Sequence, residues 1–198
     1  MTNDTDDEKK SAGSNTPMDL SEATQFSNAQ QQKLFDYWSS LRNDHLMPFA
    51  TDIDPTRIVP LLKEITIFEI FGEKDVRYRL AGTGVAERLG ADPTGKNLFD
   101  ITAPETVGTV AYLFETLFKQ PVGAIVQYEN TYNTGRRAPV SSLFLPLAAV
   151  EGGRPRVLSI HTREASTDYE DAQNTSTIGT TVTGIHWIDI GAGIPTSN

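Results

Sequence analysis

The spacing of apolar residues changes several times along the 198-residue chain, and each change predicts a different kind of element. Residues 1–28 are mostly polar with scattered apolar positions, which cannot repay the entropy cost of ordering, so they predict a disordered leader. From residue 28 to residue 42, apolar side chains recur at helical spacing and predict an amphipathic helix. Its apolar stripe consists of Leu34, Phe35, Trp38 and Leu41.

A pair of strands is predicted after this helix. Asp54 and Pro55 favour the cap and the first position of a short helical turn. Residues 65–71 are β-branched and aromatic, and apolar and polar residues alternate over residues 76–82. Residues 72–75 between them predict a hairpin turn, so the two strands are expected to be antiparallel neighbours.

The rest of the chain predicts a long helix and a final set of strands. Residues 82–103 favour short helical turns joined by loops, and Pro104 opens a helix that extends to Gln120. Further strands are predicted at residues 122–132, 140–150 and 156–163, then a polar loop and one more strand at 181–190. Hairpins and a meander suit one antiparallel sheet with helices on one face. The pattern therefore predicts an α+β fold, not a parallel doubly wound sheet.

Charge and cysteine content exclude several classes of function. The net charge is −9, and an acidic surface repels phosphate backbones and anionic membranes, so neither nucleic acid nor a membrane is an expected partner. The chain has no cysteine, which excludes disulfides, thiolate metal sites, cysteine nucleophiles and flavin–cysteine photochemistry. The polar N-terminus does not resemble a secretory signal, and no apolar run is long enough to span a membrane. We therefore expect a cytoplasmic protein.

Short motifs in a particular order support a more specific prediction. They are FDYWSSLR at residues 35–42, LMP at 46–48, DIDP at 52–55, YRLAGT at 78–83, GADPTGKNL at 90–98 and LFLPL at 143–147. In order and spacing, residues 30–163 resemble the PAS domain family, and in particular its stand-alone members from alphaproteobacteria. No single motif is decisive by itself.

The resemblance implies a five-stranded antiparallel sheet whose concave face meets the helices. It also implies that the N-terminal amphipathic helix packs either on the other face of the sheet or on a second subunit. The expected organisation is a disordered leader at 1–28, a PAS-like domain at 29–163, and a polar linker, extra strand and tail at 164–198. Members of the family are signalling and regulatory modules whose ligands are mostly unassigned, so the cofactor stays unknown.

Inward-facing residues of the predicted sheet and helices are candidates for a ligand cavity, which is typically apolar with a few polar groups. A completely filled core is the alternative, since protein interiors are normally close-packed. For His161, a hydrogen-bonded position on the sheet is the alternative to a role in the cavity. The candidate ligand-binding residues are Tyr78, Leu80, Leu89, Phe99, Phe114, Gln127, Leu143, Leu145, Ser159 and His161.

Other motifs lack the context that their chemistry requires. The sequence of residues 90–97 is similar to a phosphate-binding loop, but Asn97 occupies the position where a Ser or Thr would bind Mg²⁺. A turn between two short helices is therefore predicted. No nucleophile elbow occurs, no residue is predicted to be catalytic, and the scattered histidines predict no metal site. A small enzyme would need a carboxylate in the concave sheet, and the strand carboxylates to inspect for it are Glu69 and Glu129.

Three functional hypotheses follow from these observations. The leading one is a non-catalytic sensory module that binds a small molecule and signals through a protein partner or a homodimer. The alternative is a ligand-free interaction module with a filled core. A small α+β enzyme is the third. The stripe Leu34, Phe35, Trp38 and Leu41 either covers the sheet of its own chain or forms the interface of a symmetric dimer, the commonest oligomer.

Overall fold

The computed structural model describes residues 26–132, 137–163 and 175–196 of the chain. Its strands are β1 (Ile65–Gly72), β2 (Asp75–Ala81), β3 (Val122–Tyr132), β4 (Arg137–Leu147), β5 (Arg156–Arg163) and β6 (Thr175–Asp189). Its α-helices are α1 (Ala29–Ser40), α2 (Thr83–Leu89) and α3 (Val107–Lys119). Segments of 3₁₀ helix span Ala50–Asp52, Pro55–Glu64 and Leu98–Asp100.

The strands form one antiparallel sheet in the order β2-β1-β5-β4-β3-β6. The late strand β5 pairs with β1 on one side and β4 on the other, so the first and last parts of the domain meet in the middle of the sheet. The predicted α+β fold with an antiparallel sheet is confirmed. The sheet has a sixth strand, β6, which pairs with β3 from Val122 opposite Asp189 to Tyr132 opposite Thr175. β6 includes the strand predicted at residues 181–190 as far as Asp189, and it begins earlier, at Thr175, within the predicted polar loop.

β4 ends earlier than the sequence predicts, at Leu147 instead of residue 150. The next residue, Ala148, directs its backbone to another segment: its N–H donates to the Pro48 carbonyl at 2.9 Å, and its carbonyl accepts from the Ala50 N–H at 3.4 Å. Apolar character continues past Leu147, so hydropathy alone cannot show where the chain changes partner.

The long helix begins three residues later than predicted, at Val107 instead of Pro104. The N–H and the hydroxyl of Thr106 both donate to the Ala103 carbonyl, at 2.9 and 3.0 Å, and close a turn before the helix. The predicted apolar side of the helix still faces the sheet, with Phe114 and Leu117 buried.

Gly108 lies in the first turn of α3, and a Cβ added there would meet nothing within 4 Å. We expect Gly108→Ala to raise the free energy of unfolding by about 0.5–1 kcal/mol, because alanine loses less backbone entropy than glycine on entering a helix. Urea denaturation of the two chains measures the difference. A less stable variant would contradict the open surroundings at this position.

α1 covers one side of the sheet, the outer face, together with the 3₁₀ helix Pro55–Glu64. Leu34, Phe35 and Trp38 are at most 2% exposed, and Leu41 packs against the same core. The predicted stripe therefore covers the sheet of its own chain, and these side chains are not available as the interface of a dimer. The buried residues of this core are Leu34, Phe35, Tyr37, Trp38, Ile58, Leu61, Ile65, Ile125, Leu143, Leu145, Leu147, Leu158, Ile160, Ile188 and Ile190.

A group of polar side chains fixes where α1 begins on the outer face. The Asn28 side chain caps the helix and donates to Thr162 Oγ1 at 2.7 Å. The fully buried Gln31 donates from Nε2 to Ser141 Oγ at 3.0 Å, and Ser27 Oγ lies 2.8 Å from the same Ser141 hydroxyl. The last residues of the predicted leader therefore pack on the sheet. The rest of that leader lies outside the described residues.

The concave face of the sheet meets α2, α3 and the short 3₁₀ helix Leu98–Asp100, as the sequence predicts for the helices of the domain. Phe68 on β1 is the centre of an aromatic group, with ring centroids 4.7 Å from Tyr78 and 5.4 Å from Phe114. The buried residues of this second core are Phe68, Val76, Tyr78, Leu98, Leu113, Phe114, Leu117, Val122, Ala124, Val126, Phe144 and Val157.

Segment 90–97 runs along the outer edge of β2. Its sequence is the one that is similar to a phosphate-binding loop. The Gly95 N–H donates to the Tyr78 carbonyl at 2.7 Å, and the Tyr78 N–H donates to the Lys96 carbonyl at 3.1 Å. The Asn97 side chain accepts from the Phe99 N–H and begins the next 3₁₀ helix. The segment is the predicted turn between two short helices, and it protects the β2 edge.

Candidate functional site

A cavity lies between the concave face of the sheet and the helices α2 and α3. Its volume is about 90 Å³, and it opens to solvent at a mouth. Its lining is mostly apolar with a small polar group, which is the usual character of a ligand pocket. The lining residues are Phe68, Tyr78, Val85, Arg88, Leu89, Leu98, Thr102, Val110, Leu113, Phe114, Val126, Tyr128, Asn130, Val140, Phe144, His161 and Val182.

His161 on β5 faces this cavity from the middle of the sheet. Its Nε2 lies 2.7 Å from Thr66 Oγ1 and 3.2 Å from Ser159 Oγ. Its Nδ1 lies 2.8 Å from Ser142 Oγ and 3.4 Å from the Tyr128 hydroxyl. All of these partners are hydroxyls, which can donate or accept, so a neutral imidazole is satisfied at both nitrogens. The central place of β5 brings these groups together from several strands.

Burial decides the protonation of the titratable groups of the cavity. Burial, and secondarily the positive charge of Arg88, lowers the pKa of His161 to about 3. His161 is partly exposed, and hydroxyl groups surround both nitrogens of its ring. Burial also raises the pKa of Tyr78, with a smaller contribution from Tyr128. Near neutral pH both side chains are therefore uncharged.

This depressed pKa predicts a pH dependence of stability. Between about pH 6.5 and about pH 3, the unfolded chain binds a proton at His161 that the folded chain does not. The free energy of unfolding should therefore fall as the pH drops through this window, by at most about 1.4 kcal/mol per pH unit from this group. Urea denaturation from pH 7.5 down to pH 4.5, in the parent chain and in His161→Gln, measures it. Equal slopes in the two chains would contradict a neutral His161.

Arg88 on α2 brings a charged group to the lining of the cavity. Its Nη1–H donates to Glu64 Oε2 at the end of the 3₁₀ helix Pro55–Glu64. The Arg88 side chain is 11% exposed and that of Glu64 is 21% exposed, so the pair is largely removed from water. It joins α2 to the segment that leads into β1.

The structure places Tyr78, Leu89, Phe114 and His161, among the candidate ligand-binding residues, in the lining of the cavity. Ser159 is hydrogen-bonded to His161 but does not line the cavity. Phe99 packs against the concave core and also does not line the cavity. The remaining candidates lie on the outer face or line a groove there: Leu80, Gln127, Leu143 and Leu145.

The alternation of side chains along each strand and one β-bulge explain why these four residues do not line the cavity. Leu143 and Leu145 alternate with Ser142 and Phe144, and the latter two face the cavity side. Gln127 follows Val126, which lines the cavity, and so points the other way. Leu80 would share a face with Tyr78, but the register of β1 and β2 shifts there, and Leu80 pairs with the outer-face residue Ile67.

Four polar residues of the lining were missed: Arg88, Thr102, Tyr128 and Asn130. Three of them carry a sequence signal. Arg88 follows Val85 at helical spacing, so both share one face of α2. Tyr128 and Asn130 continue the alternation of β3 that begins at Val126.

Neither strand carboxylate lies in the cavity. Glu69 accepts from Nε and Nη2 of Arg156, at 3.1 and 2.9 Å, and Glu129 lies 3.5 Å from Arg137. Within residues 26–132, 137–163 and 175–196, no group of three or more His, Asp or Glu side chains could hold a metal ion. Across the same residues, no helix has the length and hydrophobicity to cross a membrane.

The fold is an antiparallel sheet with helices over its concave face, and a comparison of sequences supplies the family. A family model described as a PAS domain matches residues 26–162, which is more than half of the chain. The chain belongs to the PAS domain family, and the resemblance seen in its motifs is confirmed. Membership of this family implies a signalling module. Among curated proteins, none matches the chain significantly.

Solved structures of PAS and LOV domains are similar to part of this chain. A fungal LOV domain photoreceptor is 16% identical, with 58% of this chain and 94% of that chain covered and a TM-score of 0.42. A LOV protein from Rhodobacter sphaeroides is 9% identical, with 60% and 73% covered and a TM-score of 0.43. The PAS domain of BvgS from Bordetella pertussis is 15% identical, with 52% and 75% covered and a TM-score of 0.35. No ligand is transferred from them to this chain.

Proposed function

We propose that this chain is a sensory module that binds a small molecule between the sheet and the helices α2 and α3. The observation that carries the proposal is the cavity itself, with aromatic and aliphatic walls around one hydrogen-bonded His161. An apolar space with a few convergent polar groups is the usual form of a ligand site. The space of about 90 Å³ between the sheet and the helices supports a ligand site over a completely filled core.

The character of His161 supports binding over turnover. A general base works best when its pKa lies near the working pH, whereas the pKa of His161 is lowered to about 3. Its nitrogens are also held by hydroxyls, which suits a fixed donor or acceptor for a ligand. The strand carboxylates of the enzyme hypothesis, Glu69 and Glu129, are paired with arginines away from the cavity.

The bound state would be passed on through a protein partner or a homodimer. The stripe on α1 is buried in its own chain, so a dimer would have to use another surface. Several large apolar side chains elsewhere are exposed, among them Val59 and Tyr112. A cytoplasmic location remains part of the proposal.

Native mass spectrometry of the purified chain tests the proposal directly. We expect a species heavier than the 21.7 kDa chain by the mass of a small molecule, and the excess would identify its class. Removal of that molecule should lower the melting temperature, and its return should restore it, since a ligand stabilises only the folded state. A bare mass, with no small molecule in a metabolite panel raising the melting temperature, would favour the ligand-free interaction module.

A cavity-filling variant connects such binding to this site. Val140 on β4 lines the cavity and is 5% exposed, so Val140→Phe should occupy part of the space and abolish the mass excess. Val59→Phe is the matched control, because Val59 is 60% exposed on the 3₁₀ helix. Equal ligand content in both variants would place the ligand elsewhere.

A further inference from the structure

The charge at the cavity wall narrows the class of ligand. We propose that the ligand of this cavity is an amphipathic monocarboxylate, an inference that rests on the proposed function. The carboxylate binds Arg88 in competition with Glu64, and the apolar body lies among the aromatic rings. Neither the family match nor the similar structures supply this assignment. It rests on the groups that face the cavity in this chain.

The described lining carries positive charge only. Arg88 is the only charged residue among the described residues that line the cavity, and Glu64 is not one of them. The other polar groups of the lining are neutral: Tyr78, Thr102, Tyr128, Asn130 and His161. An anion entering the cavity therefore meets the Arg88 guanidinium in the lining, where Glu64, which lies outside the lining, is its competitor for that charge.

The guanidinium of Arg88 has capacity for a second anion. Its contact with Glu64 is one hydrogen bond from Nη1, whereas a guanidinium carries five N–H donors that match a carboxylate in a bidentate arrangement. Glu64 reaches Arg88 from outside the cavity and is the more exposed partner, so it can turn toward water. A ligand carboxylate can thus take its place without leaving Arg88 as an unpaired buried charge, which would be costly.

The remaining walls define the body of the ligand. Phe68, Phe114 and Phe144 form one aromatic group, with the Phe114 and Phe144 centroids 5.9 Å apart. Such walls favour an alkyl chain or one aromatic ring by burial of apolar surface. One charged residue, Arg88, in a lining that also holds these rings matches a molecule with a single charged group and an apolar body.

Replacement of Glu64 by a ligand carboxylate at Arg88 would also affect the outer face of the sheet. Glu64 ends the 3₁₀ helix Pro55–Glu64, whose Ile58 and Leu61 belong to the core beneath α1. The Tyr37 hydroxyl on α1 also accepts from the Asp54 N–H at 2.6 Å, at the start of that helix. Release of Glu64 therefore loosens a segment that contacts both layers, and hydrogen exchange of residues 55–64 should increase when the carboxylate binds.

Calorimetric titration of the full chain with three probes of equal chain length tests the charge. These are octanoate, octan-1-ol and octylammonium, with 3-phenylpropanoate as a carboxylate of aromatic body. We expect octanoate to bind at least about tenfold more tightly than octanol, and octylammonium to bind most weakly. Equal affinities for octanoate and octanol would overturn the carboxylate assignment and leave the ligand cavity intact. Failure of all four probes to bind would contradict the cavity proposal as well.

Variants of the Arg88–Glu64 ion pair test whether the preference for octanoate depends on this pair. Arg88→Met keeps much of the apolar stem of the side chain and should weaken octanoate binding about tenfold or more while octanol binding changes little. Glu64→Gln removes the competing carboxylate and should strengthen octanoate binding several-fold. Since Arg88→Met leaves Glu64 without its partner, the double variant R88M/E64Q keeps the test valid if the single variant folds poorly. Octanoate binding to R88M/E64Q at the parent affinity would overturn the proposal.

Discussion

Replacement of Trp38 by alanine should lower the free energy of unfolding by about 3–5 kcal/mol, because it empties the largest side-chain site in the core beneath α1. The indole is fully buried between α1 and the sheet, with the Phe35 ring centroid 6.0 Å away. Its Nε1–H donates to the Pro146 carbonyl at 3.0 Å, and the Arg42 guanidinium lies 5.4 Å from the ring centroid. Alanine would remove the ring, the hydrogen bond and the cation–π contact together.

Two further variants separate these contributions. Trp38→Phe keeps an aromatic ring but leaves the Pro146 carbonyl without the indole donor, so we expect a smaller loss of about 1–2 kcal/mol beyond the packing change. Val150→Ala removes apolar atoms from a side chain that is 44% exposed and should change stability by no more than about 0.5 kcal/mol. Guanidinium denaturation measures all three. A Trp38→Ala chain as stable as Val150→Ala would mean that α1 does not pack on its own sheet.

The second large effect is expected at Gly82, which precedes α2. A Cβ built there would clash with the carbonyl oxygens of Leu62 and Lys63. Because these are backbone atoms, they cannot move without shifting the 3₁₀ helix Pro55–Glu64 or the start of α2. We expect Gly82→Ala to lower the free energy of unfolding by about 3 kcal/mol or more. The φ of Gly82 is −65°, so the cost is one of space and not of backbone conformation.

The matched control for Gly82→Ala is Gly72→Ala, at the end of β1. A Cβ there would meet nothing within 4 Å, and the change should alter stability by no more than about 0.5 kcal/mol. Thermal and urea denaturation of both variants give the comparison. The Gly82 variant should also bind any cavity ligand more weakly, because α2 carries Val85, Arg88 and Leu89 to the lining. Equal stabilities of the two variants would contradict the close approach at Gly82.

The sequence predicts the architecture better than the site, for identifiable reasons. Alternation and helical spacing depend on neighbouring residues, so β3 and β5 were predicted with their observed ends, and α1 within two residues. Cavity residues depend on which way each side chain points, and this changes at a bulge. The shift in register after Ile67 moves Leu80 to the outer face, and no local pattern marks it.

Contacts between distant segments explain what else was missed. Arg88 is one of several charged residues in its region, and only the fold brings it to the cavity wall beside Glu64. Gln31 is fully buried because the hydroxyls of Ser141 and Thr162, more than 100 residues later, lie opposite it. Local sequence gives no sign that such a polar residue is buried, because a distant strand supplies its hydrogen-bond partners.

The position of β6 has a practical consequence for domain transplantation. The family match ends at residue 162, whereas the sheet continues to Asp189 through a strand that pairs with β3. A chimaera that joins only residues 26–162 to an effector would uncover the whole length of β3, whose Val122, Ile125 and Val126 are apolar. Such an edge recruits other strands and favours aggregation. Transfer of this sensor to a new effector therefore requires the segment through Asp189, even though sequence similarity alone would place the cut earlier.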